Sequence, residues 1–199
     1  MNSISKSNWT AFDDLPIGEA NHAALSPVPF LSRAARVFPD KIAVIDGQRS
    51  LTYRRLRERC RQCADALRRA GIRSGDVVSV MAPNTSAMLE LHFAVPLSGA
   101  VLNAINTRLD PTTVLVILRH AGTRVLFIDT AFAEVIAAVR DTEELRVHIV
   151  EITAQSDCEY DAFVDTGRTD ASLPEISDEN APISLNYTSG TTGNPKGVV

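Results

Sequence analysis

Apolar positions along this chain alternate between two spacings from about residue 28 to residue 152. Short apolar runs are typical of buried strands, and between them apolar residues recur every three or four positions, as on one face of a helix. After a first helix that ends before Pro39 and a hairpin turning at Asp46-Gly47, the predicted helices cover 54–70, 86–97, 111–120 and 132–140, and the predicted strands cover 77–82, 100–105, 125–128 and 147–152. Because strands alternate with amphipathic helices, we predict an α/β fold with a doubly wound parallel sheet.

Helix boundaries carry their own signals. Thr52 is placed to cap the helix that begins at about residue 54, and Gly71 follows its last apolar position. Asp110-Pro111 combines a preferred N-cap with proline at the first helical position, and Gly122 lies where that helix should end. These signals strengthen the prediction of two full-length helices.

The segments before and after this alternating region, residues 1–26 and 154–182, are polar and lack its regular spacing. Residues 1–26 form a polar N-terminal arm in which Trp9, Phe12 and Leu15 are candidate anchoring side chains, and residues 27–199 form the main domain. Residues 154–182 are polar and irregular, so we expect a long surface connection with one short helix at 160–165.

Composition narrows the function classes. The 199 residues are 45% hydrophobic and 22% charged, as in ordinary globular proteins, and suffice for one sizeable core. The net charge of −4 gives no basic footprint, so we expect no nucleic-acid partner. No apolar run approaches the ~18 residues of a membrane span, and the polar N-terminus does not resemble a secretory signal. A cytoplasmic location is therefore expected.

The cysteines and histidines suggest no metal site or catalytic residue. Cys60 and Cys63 form a C-x-x-C pair, but they lie in the middle of a predicted helix and share helical spacing with Leu56 and Leu67. Redox chemistry or metal binding is the alternative, and the spacing favours two sulfurs in a buried stripe. The four histidines are dispersed along the sequence, so each is expected to be an ordinary core or surface residue.

A dense row of arginines marks the helix predicted at 54–70. Its members are Arg54, Arg55, Arg57, Arg59, Arg61, Arg68 and Arg69. One interpretation is a patch for the phosphates of a nucleotide or nucleic acid. The other, which the acidic net charge favours, is a solvated face partly offset by Glu58 and Asp65.

The segment from Tyr187 to Val199, YTSGTTGNPKGVV, contains three glycines, four hydroxyl side chains besides the tyrosine, and one lysine. Glycines let backbone N–H groups turn toward an anion, hydroxyls donate hydrogen bonds, and lysine adds charge, so the composition suits phosphate. The order of residues does not fit the P-loop G-x-x-x-x-G-K-[ST], because the lysine precedes a glycine. Apolar runs at 183–187 and 197–199 predict a loop between two strands, with an ordinary hairpin turn as the alternative.

This segment resembles the signature loop of the adenylate-forming superfamily, which comprises acyl- and aryl-CoA synthetases, luciferases and the adenylation domains of peptide synthetases. Further stretches are similar to the same superfamily, namely 38–44, 51–53, 75–84 and 99–109. The stretch GAVLNAINTRL and the phrase Leu185-Asn186-Tyr187 resemble the short- and medium-chain acyl-activating enzymes. The resemblance covers the chain after about Pro27, and it corresponds to an incomplete N-terminal part of the large domain.

The resemblance implies an ATP-dependent acyl-CoA synthetase. Such an enzyme joins a carboxylate to AMP and then transfers the acyl group to coenzyme A, with Mg²⁺ as a further requirement; a short- or medium-chain fatty acid is the expected substrate. The residues implied to contact the ATP phosphates are Thr188, Ser189, Gly190, Thr191, Thr192, Gly193 and Lys196. The adenine-binding segment, the carboxylate pocket, the magnesium-binding acid and the catalytic lysine correspond to sequence beyond Val199, so no catalytic or metal residue is assigned here.

This position in the superfamily leads to a structural expectation. We expect the strand after the loop to be cut off, so that the loop is held from one side and the chain has an unpaired sheet edge, exposed apolar surface and poor stability. Two functional interpretations stay open: the front part of an acyl-CoA ligase, or a truncated, catalytically inactive product that at most binds phosphate.

Overall fold

A six-stranded sheet between two layers of helices forms the body of the protein. The computed structural model describes residues 24–153, 158–175, 178–188 and 195–199. The candidate anchors Trp9, Phe12 and Leu15 lie outside the described residues. The helices are α1 (Val28–Val37), α2 (Tyr53–Arg69), α3 (Ser86–Leu97), α4 (Pro111–Ala121), α5 (Ala133–Arg140) and α6 (Glu159–Asp165). The strands are β1 (Ile42–Asp46), β2 (Arg49–Thr52), β3 (Val77–Met81), β4 (Val101–Ala104), β5 (Thr123–Asp129), β6 (His148–Ile152), β7 (Ser184–Thr188) and β8 (Lys196–Val198).

The sheet has the strand order β6-β5-β3-β4-β7-β8. The first five strands pair in parallel, and β8 pairs with β7 antiparallel. Strands β1 and β2 form a separate antiparallel hairpin. One face of the sheet packs against α1, α2, α3 and α6, and the opposite face packs against α4 and α5. This arrangement confirms the predicted doubly wound α/β fold.

Two helices begin and end where the sequence signals predicted. The Thr52 hydroxyl accepts a hydrogen bond from the backbone N–H of Arg55 at the start of α2. Asp110 caps α4 in the same way by accepting from Thr113 N–H, and Gly122 ends this helix in the left-handed conformation with φ of 64°. Residues with a Cβ are strained at such a φ, so a glycine at position 122 allows the helix to end there.

The segment after β6 contains the predicted short helix, but one face of that helix is more deeply buried than a surface connection suggests. Helix α6 buries Tyr160 and Val164 in the core on the α2 side of the sheet. Farther along, Arg61 of α2 donates hydrogen bonds to the backbone carbonyls of Thr169 and Ala171, at 2.6 and 2.7 Å. The short helix predicted at 160–165 is therefore present and is buried on one side, whereas residues 168–170 after it are exposed, as expected for a surface connection.

The C-x-x-C pair lies in the core, as its helical spacing predicted. Cys60 and Cys63 are both fully buried on α2 and are free thiols. Burial raises the pKa of both thiols, and the nearby charge of Glu90 acts in the same direction. Because the thiolate is the reactive form of cysteine, these two sulfurs are suited to packing and not to redox chemistry.

Candidate phosphate-binding site

Strand β7 changes its pairing partner halfway along its length. Its first two residues, Ser184 and Leu185, lie opposite Leu102 and Asn103 of β4. From Asn186 to Thr188 it pairs with β8. Because β7 runs parallel to β4, the hairpin of β7 and β8 extends beyond the carboxyl end of β4. Ligands of open α/β sheets bind in crevices at the carboxyl ends of strands, so the hairpin lies where the fold favours a binding site.

The mouth of the loop is formed by Thr188 and Lys196. Their Cα atoms are partners in the β7–β8 ladder, and both residues are exposed. The structure therefore brings together the first and the last of the predicted phosphate contacts. The other five, Ser189, Gly190, Thr191, Thr192 and Gly193, lie outside the described residues.

The pairing of β8 corrects one expectation from the sequence. The loop was expected to be held from one side only, but Lys196, Gly197 and Val198 pair with Thr188, Tyr187 and Asn186. Three residues after the loop are enough to form this second strand, because antiparallel strands can be joined by a short connection. Val198 and Val199 are still 54% and 80% exposed, in line with the apolar surface that was expected near this edge.

Tyr187 connects the hairpin to the body of the domain. Its half-buried ring packs against the core on the α4 side of the sheet. The Tyr187 hydroxyl lies 2.6 Å from Nδ1 of His120 in the last turn of α4, and the two rings meet edge to face with centroids 5.7 Å apart. Burial raises the pKa of Tyr187. Sequence reasoning treated His120 as an ordinary residue, and no local pattern could have paired it with a residue 67 positions away.

Gly197 lies directly across the hairpin from Tyr187. A Cβ atom added to Gly197 would meet Leu185 Cδ1 at 3.0 Å and Tyr187 Cε1 at 3.5 Å. The side chains of Leu185 and Tyr187 therefore lie beside the glycine, which is itself exposed, and they limit the space for a side chain at this position. Thr188 and Lys196 are thus next in sequence to Tyr187 and Gly197, which contact each other across the hairpin.

A buried network of charged side chains lies on the opposite face of the sheet. Nε of Arg59 donates to Oε1 of Glu90 at 2.7 Å, and the Tyr160 hydroxyl donates to Oε2 at 2.8 Å. Arg59 also bonds Asp161, which accepts from Arg49 at 3.2 Å. Burial opposes the charge on Arg59, but the hydrogen bond and charge of Glu90 raise its pKa above the usual value. Arg59 lies on α2, Glu90 on α3, and Tyr160 and Asp161 both lie on α6, so the network joins these three helices.

The arginine row on α2 is thus divided among several roles. Arg59 is buried in the network, while Arg61 and Arg68 bond backbone carbonyls of neighbouring segments. Arg54 and Arg55 form exposed pairs with Asp40 and Glu58. Most of the row is an exposed face, with Arg55 paired to Glu58 as the sequence suggested, but Arg59 and Arg61 also tie α2 to neighbouring segments.

The hairpin itself lacks the side chains of a magnesium site. Mg²⁺ prefers carboxylates combined with phosphate oxygens and water. The described residues of β7 and β8 include no carboxylate. Across the described parts of the chain, no group of three or more His, Cys, Asp or Glu side chains is arranged to hold a metal ion. We therefore assign no metal ligand among the described residues.

Comparison with known proteins identifies the family. A family model described as "AMP-binding enzyme" matches residues 31–199. The chain belongs to the AMP-binding enzyme family. This agrees with the adenylate-forming resemblance of the loop and of the stretches before it.

Relatives in the AMP-binding family include named CoA ligases. The chain is 42% identical over 205 residues to a peroxisomal benzoate–CoA ligase of Arabidopsis thaliana, covering 94% of the chain and 35% of that protein. It is 42% identical over 204 residues to the peroxisomal butyrate–CoA ligase AAE11 of the same plant, covering 94% of the chain and 36% of that protein. The chain thus spans about a third of the length of these relatives.

Solved structures of CoA ligases share the fold. The anthranilate CoA ligase AuaEII in complex with anthranoyl-AMP superposes with a TM-score of 0.80 at 27% identity, over 92% of this chain and 36% of that one. A fatty acyl CoA synthetase of Mycobacterium tuberculosis gives a TM-score of 0.72 at 30% identity, over 85% of this chain and 33% of that one. These two structures confirm that the α/β fold of this chain corresponds to part of a domain of such enzymes.

Two further observations concern location. Within the described ranges, no helix combines the length and apolar character needed to cross a bilayer. Several relatives are peroxisomal by name, so the cytoplasmic location expected from the sequence stays a prediction.

Proposed function

We propose that this chain provides the ATP-phosphate-binding hairpin of an AMP-forming acid–CoA ligase. The observation that supports this most directly is the pairing of Thr188 with Lys196 at the mouth of a loop whose sequence is rich in glycine and hydroxyl residues. In this proposal Thr188, Ser189, Gly190, Thr191, Thr192, Gly193 and Lys196 contact the phosphates of ATP. Membership of the AMP-binding family supports the same assignment.

The chemistry requires charge stabilisation at this place. A carboxylate oxygen attacks the α-phosphorus, the bond from this phosphorus to the bridging oxygen breaks, and pyrophosphate leaves with the electron pair. The thiol of coenzyme A then attacks the acyl carbon, loses its proton, and releases AMP. Donors held in place before reaction stabilise the charge that develops on a leaving group. Lys196 and the hydroxyl of Thr188 are suited to this role toward pyrophosphate.

For the acid substrate we propose a short- or medium-chain fatty acid, and hence a role in fatty acid metabolism. The stretch 99–109 supports it through its resemblance to enzymes of that clade. The names of two relatives support a small carboxylate more broadly, since one acts on butyrate and the other on benzoate.

A second candidate is polyphosphate binding without turnover. It requires only the hairpin, whose mouth is formed by Thr188 and Lys196. Under this candidate the hairpin binds ATP, but no acyl-adenylate forms.

Carboxylate-dependent exchange of labelled pyrophosphate into ATP separates the two candidates. Exchange with butyrate or hexanoate supports the ligase, whereas ATP binding without exchange supports the second candidate. In a protein that does exchange, Lys196→Ala should slow adenylation more than it weakens carboxylate binding, because the lysine acts on the leaving group. The control is Lys41→Ala, an exposed lysine that lies before α2 and far along the chain from the loop. An unchanged exchange rate in Lys196→Ala would contradict the proposal.

We also propose a cytoplasmic location, on the basis of the polar N-terminus. A fluorescent fusion that carries the complete N-terminal arm, imaged beside a peroxisomal marker, tests it. Accumulation with the marker would contradict it.

A further inference from the structure

His120 and Tyr187 form a contact that the proposed chemistry does not use. His120 is exposed in the last turn of α4, and Tyr187 is half-buried on β7, one residue before Thr188. Their 2.6 Å hydrogen bond joins a helix on one layer to the strand that leads into the loop. The His120–Tyr187 hydrogen bond therefore connects α4 to the residue that precedes Thr188.

Only the first part of β7 is paired with the rest of the sheet through β4. After Leu185, β7 has no further partner residue on β4. From Asn186 onward, among the described residues, it pairs only with β8, which is itself at the edge of the sheet. Main-chain pairing of β7 with β4 therefore ends at Leu185, and Tyr187 adds side-chain contacts between the hairpin and the body of the domain.

Tyr187 is placed to act on both strands at once. Its hydroxyl meets His120, its ring packs on the core at α4, and its edge lies against Gly197 of β8. Thr188 follows Tyr187 and Lys196 precedes Gly197, so the pair at the loop mouth takes its position from these contacts.

We propose that His120 and Tyr187 are positioning residues, which hold the β7–β8 hairpin in the direction that presents Thr188 and Lys196 to the pyrophosphate part of ATP. This inference rests on the proposed function. Neither residue is assigned contact with the nucleotide. Their effect is to keep the donors in place before the ligand arrives, which spares the ligand the cost of ordering them.

Two substitutions isolate the contact. Tyr187→Phe removes only the hydroxyl and keeps the ring over Gly197, and His120→Leu removes the nitrogen that meets it. His120→Asn returns an amide near the position of Nδ1 and should restore part of the effect. The matched control is His92→Leu, since His92 is another exposed helical histidine, and its Nδ1 contacts only the carbonyl of Met88 in its own helix.

Two readouts are measured on the 199-residue chain. Hydrogen exchange of the hairpin amides reports the positioning without any ligand, and calorimetric titration with inorganic pyrophosphate reports its consequence. We expect faster exchange at residues 186–188 and 196–198, and pyrophosphate binding weakened about fivefold, in both Tyr187→Phe and His120→Leu. The double variant should be no worse than either single variant, because both remove the same interaction.

The outcomes separate the two proposals. If the parent chain binds no pyrophosphate, the proposed function is contradicted. Faster hairpin exchange in the variants would then show only that the contact orders the hairpin, and unchanged exchange would overturn the positioning role as well. If pyrophosphate binds but neither variant changes its affinity relative to His92→Leu, the inference is overturned even when exchange is faster, since the contact would then serve stability alone.

Discussion

The buried ion pair between α2 and α3 gives a sharp test of the packing described above. The Arg59 side chain is 5% exposed and the Glu90 side chain 0%, with 2.7 Å between Nε and Oε1. Arg59→Met keeps much of the side-chain volume and removes the charge. Glu90 then has the Tyr160 hydroxyl but no buried cation beside it. Removing one partner of a buried pair costs about 3–5 kcal/mol, because the remaining charge is left uncompensated.

Urea unfolding followed by far-ultraviolet circular dichroism measures this loss of unfolding free energy. Arg54→Met is the matched control on the same helix, because Arg54 and its partner Asp40 are 57% and 83% exposed. Such exposed pairs contribute little. Adding Glu90→Gln to Arg59→Met should recover part of the loss, since glutamine keeps an acceptor for Tyr160 without a charge.

Either of two results would refute this reasoning. One is a loss in Arg59→Met no larger than that in Arg54→Met. The other is an Arg59→Met/Glu90→Gln double variant that is no more stable than Arg59→Met. That result would mean that the uncompensated carboxylate of Glu90 is not the cause of the loss.

Three further predictions concern separate parts of the fold. Burial opposes ionisation of Asp161, but the charges of Arg59 and Arg49 lower its pKa below 3.8, so its contribution to stability is present above about pH 4 and is lost as the pH falls through the lowered value. Asp161→Asn should therefore destabilise the chain at pH 7 and flatten the acid side of a stability–pH curve; an unchanged curve would contradict this. Gly122→Ala should cost about 1 kcal/mol in urea unfolding through backbone strain alone, because a Cβ there meets no atom within 4 Å, and a neutral substitution would disagree. In the native chain Cys158 alone should react rapidly with Ellman's reagent, because the two α2 thiols are buried, whereas all three thiols should react in guanidinium; a second fast thiol in the native chain would argue against the packing of α2.

Local signals predicted most of the fold. The Thr52 cap, the Asp110-Pro111 start and the Gly122 end are each decided by a few neighbouring residues, and the structure places the helix ends within one or two positions of them. Strands such as β3 were predictable because they are continuous apolar runs between such helices. The alternation of the two then determined a parallel sheet.

Contacts between distant residues were not predictable in the same way. The 154–182 segment looked irregular because α6 is only one short amphipathic stretch, and its burial depends on a gap beside α2 that no local pattern shows. The link from His120 to Tyr187 and the pair of Arg59 with Glu90 likewise join residues whose sequence neighbourhoods are ordinary for helices and strands. At the candidate site the sequence therefore identified the residues of the loop, and the structure supplied the contacts that hold its two ends.

Calorimetric titration of the 199-residue chain with ATP measures directly whether the β7–β8 hairpin binds the nucleotide. We expect binding that weakens about tenfold or more in Lys196→Ala, as for the loss of a charge-assisted hydrogen bond, and that is unchanged in Lys41→Ala. An absence of binding, or equal affinity in the two lysine variants, would contradict the claim that the β7–β8 hairpin binds the phosphates of ATP.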